Sequence, residues 1–221
     1  MMEYHVLRSR LAPVMQRDSH SGPEGRYHVR SLYFDDLKDS ALFDKQSGTY
    51  GRTKYRMRIY NHSDDVIKLE RKNKFDQYVN KESAVIPRED AEKILAGDIG
   101  FLADSGNRFL KTFYLNSRCN LLKPKVIVDY EREAYVHPVG NVRITFDMNL
   151  STGMNSTAFF DPCVTTVRAV DEPGAVLEIK YDNVIPAHIK GLLPNSLKPR
   201  VALGKFAISR KYNKYNEWED Q

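Results

Sequence analysis

The chain has 221 residues, 41% of them hydrophobic and 29% charged, with thirteen Tyr, ten Phe and a formal charge of +5. That length supports one large domain or two small ones with a sizeable core, and the composition is that of a folded, strand-rich soluble protein. No apolar run approaches membrane-spanning length, and Arg8, Arg10 and Arg17 interrupt the N-terminus too early for a secretory signal. Cys119 and Cys163 have no metal-ligand spacing; one disulfide stays open, and a reducing cytoplasm is the simpler reading. The positive charge is concentrated. From Arg52 through Lys81 there are nine Lys or Arg against Asp64, Asp65, Glu70 and Asp76, which points to a polyanion or phosphate site.

In chain order, Tyr4, Leu7, Leu11, Val14 and Met15 recur at helical spacing and predict a helix over residues 2–16. Asp18 to Gly25 reads as a loop, Arg26 to Phe34 as a strand, and Leu37 to Lys45 as a short helix. Gly48 and Gly51 turn the chain into a strand from Arg52 to Tyr60, with further strands at Val66 to Lys72 and Tyr78 to Val85. Pro87 followed by Arg88, Glu89 and Asp90 marks a helix start, and helix continues towards Arg118 with a break near Gly97 to Gly100. Strands follow at Lys125 to Tyr135, Asn141 to Met148, Val164 to Ala169 and Ala175 to Tyr181, and then helix interrupted by Pro186, Pro194 and Pro199. The expectation is one α+β domain over 1–221 with a mostly antiparallel sheet.

The strand from Arg52 alternates with a period of two. Arg52, Lys54, Arg56 and Arg58 share one face, while Thr53, Tyr55, Met57 and Ile59 share the other. Four cations about 7 Å apart repel one another, and nothing in folding requires them. The same division recurs in later strands. Lys68, Glu70 and Lys72 oppose Ile67 and Leu69; Arg143, Thr145 and Asp147 oppose Val142, Ile144 and Phe146; Glu178 and Lys180 oppose Leu177 and Ile179; and Tyr130 groups with Arg132. For a single strand, a solvated face explains this. Five strands favouring Arg and Lys favour instead a barrel with a charged lumen and helices outside. Glu70, Asp147 and Glu178 would balance its charge and offer oxygens to a divalent metal.

Several blocks resemble a known family. Val29-Arg30-Ser31-Leu32-Tyr33-Phe34-Asp35, Tyr55-Arg56-Met57-Arg58-Ile59-Tyr60 and Leu69-Glu70-Arg71-Lys72 are similar to the VTC-type polyphosphate polymerase domain of the triphosphate tunnel metalloenzymes, the CYTH-like superfamily. Tyr130-Glu131-Arg132, Asn141-Val142-Arg143-Ile144-Thr145-Phe146-Asp147, Val176-Leu177-Glu178-Ile179-Lys180 and Gly204-Lys205-Phe206 continue the match in order. The resemblance implies an antiparallel β-barrel, the triphosphate tunnel, with helices packed outside. It implies that Arg56 and Arg58 contact phosphates, with Lys72 and Lys81 opposite, and that Tyr130, Arg132 and Arg143 line another wall. Glu178 would hold Mn²⁺ or Mg²⁺, and Lys205 would close on the phosphate chain. The implied partners are ATP and polyphosphate or another triphosphate. A homo-oligomer or a membrane-attached partner is also compatible.

The chain departs from the family's pattern at its start. The family opens with a strand of alternating acidic and basic residues, whereas Met1 here leads almost directly into the first helix, so the domain reads as N-terminally truncated relative to the family. Ala202 and Gly204 stand near Lys205 where relatives have polar or basic residues. Lys68, Arg71 and Lys74 read as solvated cations, Arg52 and Lys54 as residues of the entrance, and Tyr33 and Asp35 as strand-end structure, with a tunnel position as the alternative. Tyr212, Tyr215 and Trp218 are expected to pack a terminal helix. The histidines show no clustered ligand spacing, and Ser31 and Ser209 lack a His and Asp arrangement. A polyphosphate polymerase is the leading expectation; a triphosphatase of the same fold and a non-catalytic polyphosphate or nucleotide binder are the alternatives. Nucleic acid is the weakest, because the cations face one side of strands rather than forming an open stripe with stacking rings.

Overall fold

The computed structural model describes residues 2–76, 78–170, 174–193 and 203–210. Helix α1 (Met2–Leu11) places Tyr4, Leu7 and Leu11 on one buried face. It stops earlier than the periodicity predicts, because Pro13 cannot continue a helix. Met15 is buried all the same, at the end of a turn in which its N–H donates to the Leu11 carbonyl. The two-residue strand β1 (Gln16–Arg17) and then β2 (Tyr27–Asp35) follow.

Helix α2 (Ser40–Gln46) leads into β3 (Gly51–Tyr60), β4 (Ser63–Phe75) and β5 (Tyr78–Ile86), the meander read from the sequence. The helical stretch after Pro87 divides more than expected. Helix α3 (Arg88–Ala96) ends at Gly97 with φ 85°, and α4 (Arg108–Asn120) starts at Asn107, whose side chain accepts from the Phe109 N–H. Strands β6 (Lys123–His137) and β7 (Val142–Thr152) are joined through a single 3₁₀ turn, Val139–Asn141. The predicted strand at Val164 to Ala169 shrinks to β8 (Val167–Arg168), followed by β9 (Ala175–Lys180) and α5 (Ala187–Leu192). Residues 205–210 are helical. Tyr212, Tyr215 and Trp218 lie outside the described residues.

The strand order is β5-β4-β3-β2-β6-β7-β8, with β1 on β6 and β9 on β7, and each pairing described by register is antiparallel. This is the expected α+β class with a large antiparallel sheet. The expected barrel closure is corrected: among the described residues the order runs from β5 to β8 without returning, so the pairings form an open sheet. The physical reason is that the outer edge of β5 finds no partner strand within these residues.

The chain falls into two compact units, each assembled from separated segments: residues 1–28, 130–150 and 170–203 in one, and 29–129, 151–169 and 204–221 in the other. In the larger unit, Leu32, Phe34, Met57, Ile59, Ile67 and Leu69 from β2, β3 and β4 pack against Ile94, Phe109 and Phe113 of α3 and α4. Under this core Arg30 is buried, and its guanidinium donates to both carboxylate oxygens of Asp129 at 2.8–3.1 Å. In the smaller unit, Tyr4, Leu7 and Leu11 pack with Tyr135, Val142, Ile144, Phe146 and Ile189. Glu133, wholly buried, ties α1 to β6 by accepting from the Tyr4 hydroxyl (2.5 Å), Arg8 (2.9 Å) and the Tyr135 hydroxyl (2.6 Å).

Candidate functional site: two cation-rich strand faces

In the larger unit the face opposite the core carries the basic row. Residues opposite each other in antiparallel register stand on the same face, so the pairings assemble it directly. Tyr33 lies opposite Arg56, which lies opposite Glu70; Ser31 lies opposite Arg58, which lies opposite Lys68; and Lys54 lies opposite Lys72, which lies opposite Lys81. Lys68, expected in solvent, therefore stands in this row. Arg71 sits on the other face and donates to Glu82 at 2.9 Å.

Glu70 is the carboxylate among these cations. It is 2% exposed, accepts from Arg56 Nε at 2.6 Å and forms an ion pair with Lys81. Burial would raise its carboxyl, but Arg56, Arg58 and Lys81 outweigh burial and hold it down at about 2. Arg56 also donates to the Tyr33 hydroxyl at 3.2 Å, and Arg58 donates to Ser31 Oγ at 3.0 Å. Burial opposes ionisation of Tyr33, and the surrounding Arg56, Arg58 and Lys54 lower its hydroxyl nonetheless. Lys54 is pushed down to about 8, chiefly by burial. Its ammonium lies 4.7 Å from the centre of the Phe206 ring, and that ring packs against Tyr33 with centroids 5.1 Å apart. Phe206 thus seats the 205–210 helix, which carries Lys205, on the basic face.

The smaller unit carries a second polar face on β6, β7 and β9. Arg132 grips Asp147 with two parallel bonds at 2.6 and 2.8 Å, lies over the Tyr130 ring at 5.2 Å, and reaches Glu178 at 3.9 Å. Glu178 also pairs with Lys180 at 3.3 Å. Arg143, opposite Lys180 in register, donates to Tyr27 at 3.1 Å and pairs with Asp18. Burial would raise Asp18, yet its bonds to His20 and the charge of Arg143 bring it to about 2. Burial raises Tyr27 to about 12. Burial acts to lower Arg132, but Asp147 more than reverses it and raises the guanidinium further.

Arg56, Arg58, Lys72 and Lys81 therefore share the face of the larger unit, on which the Lys205 helix docks. Tyr130, Arg132, Arg143 and Glu178 share the face of the smaller one. Lys54 and Tyr33 belong to the first group more fully than the sequence reading allowed; the clue was the alternation Ser31, Tyr33, Asp35 against Leu32 and Phe34. Asp35 is strand-end structure as expected, accepting from the backbone of Ala41 and Leu42 at the start of α2. Among the described residues, no three His, Cys, Asp or Glu side chains gather as a metal cage, and no helix is long and apolar enough to cross a membrane. Glu70 is occupied by its two cations. Glu178, beside the polar row of the smaller unit, has the chemistry to supply one carboxylate to a Mg²⁺ or Mn²⁺ ion whose other ligands are phosphate oxygens and water.

Fold and faces together define an α+β protein whose antiparallel sheet presents cation-rich polar strand faces. The VTC domain family model matches residues 2–213, and the chain belongs to that family. No curated protein sequence matches it. Similar solved structures include a candidate adenylate cyclase from Bacillus halodurans, with TM-score 0.43, 13% identity and 67% of each chain covered. Two proteins of Pyrococcus horikoshii OT3 are also similar. PH1819 has TM-score 0.42 and 16% identity over 85% of this chain and 77% of its own, and PH1012 has 0.41 and 10% over 86% and 79%.

Proposed function

We propose that this domain is a polyphosphate polymerase that transfers the γ-phosphoryl group of ATP to a growing phosphate chain. Membership in the VTC family supports a polyphosphate- or triphosphate-related domain. The observation that carries the reading further is the face on which Lys54, Arg56, Arg58, Lys72 and Lys81 outnumber the carboxylate of Glu70 that they surround. Such an excess of cation over anion on a half-buried strand face calls for a polyanionic ligand, and phosphoryl transfer is largely positioning and charge stabilisation.

In this mechanism a terminal phosphate oxygen of the chain attacks the γ-phosphorus. The bond from that phosphorus to its bridging oxygen breaks, and ADP leaves with the electron pair. Arg56 and Arg58, oriented by Tyr33, Glu70 and Ser31, hold phosphate oxygens in line. On the face of the larger unit Lys72, Lys81 and Lys205 bind the chain, and on its own face the smaller unit offers Tyr130, Arg132 and Arg143 as phosphate contacts. Glu178 would hold a divalent cation, which would neutralise phosphate charge when bound. The setting we propose is the cytoplasm, with assembly as a homo-oligomer or with a membrane-attached partner. Incubation with ATP and Mn²⁺ is expected to give long phosphate chains resolved by gel electrophoresis. Orthophosphate release without chain growth would assign a triphosphatase instead, and tight triphosphate binding without turnover under any metal would assign a binder.

A further inference from the structure

A separate pair of side chains in the smaller unit has the geometry of a metal chelate. His137 closes β6 and His188 lies in the first turn of α5, and their Nε2 atoms are 3.5 Å apart with the rings at 65°. Two nitrogens bound to one tetrahedral metal at 2.0–2.1 Å must lie about 3.3–3.4 Å apart, so the hydrogen-bonded pair already stands close to the bite of such a chelate.

The proton on His137 is also placed for that role. Its Nδ1 lies 3.2 Å from the Val139 carbonyl oxygen, which only accepts. The hydrogen therefore sits on Nδ1, so Nε2 accepts the His188 Nε2–H, a proton whose place a metal would take; a backbone carbonyl fixing the tautomer is the usual outer support of a metal-bound imidazole.

The backbone holds the two rings together. Gly140, with φ 75°, follows Val139, and a Cβ there would come within 2.8 Å of the Val184 carbonyl oxygen. Its own carbonyl accepts from the Asp182 N–H at 3.0 Å. Only glycine lets the 3₁₀ turn approach the 182–186 segment this closely, and that segment leads into α5 and His188.

We propose that His137 and His188 form a surface chelate for a divalent transition-metal cation of the Zn²⁺ class, with water completing its shell, that clips α5 to the turn between β6 and β7. Imidazole nitrogen selects this class over Mg²⁺ or Ca²⁺, so the chelate differs in chemistry from the oxygen-ligated cation assigned to Glu178.

The test is a Zn²⁺ titration of the chelator-treated full chain, by calorimetry and by long-range ¹H–¹⁵N spectra of the imidazoles. One saturable equivalent is expected, moving Nε2 of both His137 and His188 and raising the melting temperature. His137→Ala and His188→Ala should each weaken binding about tenfold or more, while His5→Ala should leave it unchanged. Absence of saturable binding, wild-type affinity in either variant, or a proton retained between the two Nε2 atoms at saturating Zn²⁺ would overturn the proposal and leave a hydrogen-bonded pair only. The wild-type spectra decide the matter even where a variant folds poorly.

Discussion

Replacing Glu70 by Gln tests the electrostatic account of the basic face. The carboxyl ordinarily titrates near 4.5 and is held at about 2 in the fold. A carboxylate whose folded pKa is depressed contributes stability that is complete above its unfolded pKa and disappears as pH falls through the folded one. That depression, discounted for the half-exposed Lys81 partner, is worth about 2–3 kcal/mol at pH 7. Glu70→Gln should therefore lower the urea-derived stability by about 2–3 kcal/mol at pH 7, and the gap to wild type should close between pH 4.5 and 2. Asp18 titrates in the same window, and taking the difference between the two proteins removes its contribution. Tripolyphosphate should narrow the gap at pH 7, because its oxygens replace the lost anion beside Arg56 and Lys81. Parallel stability curves across this pH range would refute the reasoning, and so would a gap that tripolyphosphate widens.

Other outcomes follow from the same geometry. Asp129→Asn leaves the buried Arg30 guanidinium without its counter-charge and should cost about 3–5 kcal/mol, read as a lower urea midpoint. Glu133→Gln loosens α1 from β6 and should cost about 2–4 kcal/mol, with earlier proteolytic cleavage near Arg8 and Arg10 as the check. Lys54 is charged below about pH 8, so tripolyphosphate affinity should be highest there and fall as pH rises above it. Lys54→Met should flatten that profile relative to wild type, and an unchanged profile would remove Lys54 from the binding face.

Much of the fold was legible because period-two alternation is a local property. Thr53, Tyr55, Met57 and Ile59 announce a core-facing edge of β3, and the structure buries Tyr55, Met57 and Ile59 against α3 and α4. The spacing alone overextends α1, because the apolar positions run on through Val14 and Met15 while Pro13 stops the backbone. The strand at Val164 to Ala169 was overextended for a similar reason: β-branched residues fit a strand, but only Val167 and Arg168 find partners, at Thr152 and Ser151. Closure of a sheet depends on which edges meet across long sequence separations, and alternation within a strand carries no signal for that.

The site shows the same boundary more sharply. Side-chain face is set by parity along a strand, so Arg56 and Arg58 share a face from sequence alone, as do Lys68 and Lys72, and register joins these rows and adds Tyr33. What parity omits is pairing between charges. Glu70 reads from sequence as a metal ligand as readily as Glu178 does. In the fold Glu70 accepts Arg56 and pairs with Lys81, while Glu178 keeps 40% of its side chain exposed beside Arg132 and Lys180. A buried carboxylate already neutralised by two cations gains little from a third, and the desolvation of a divalent ion there would be costly. A half-exposed carboxylate retains room for water and phosphate oxygens around an ion, which is what Mg²⁺ and Mn²⁺ demand. The difference between the two glutamates, one buried and orienting arginine and the other partly exposed beside Arg132 and Lys180, follows from their surroundings rather than from their place in the strand pattern.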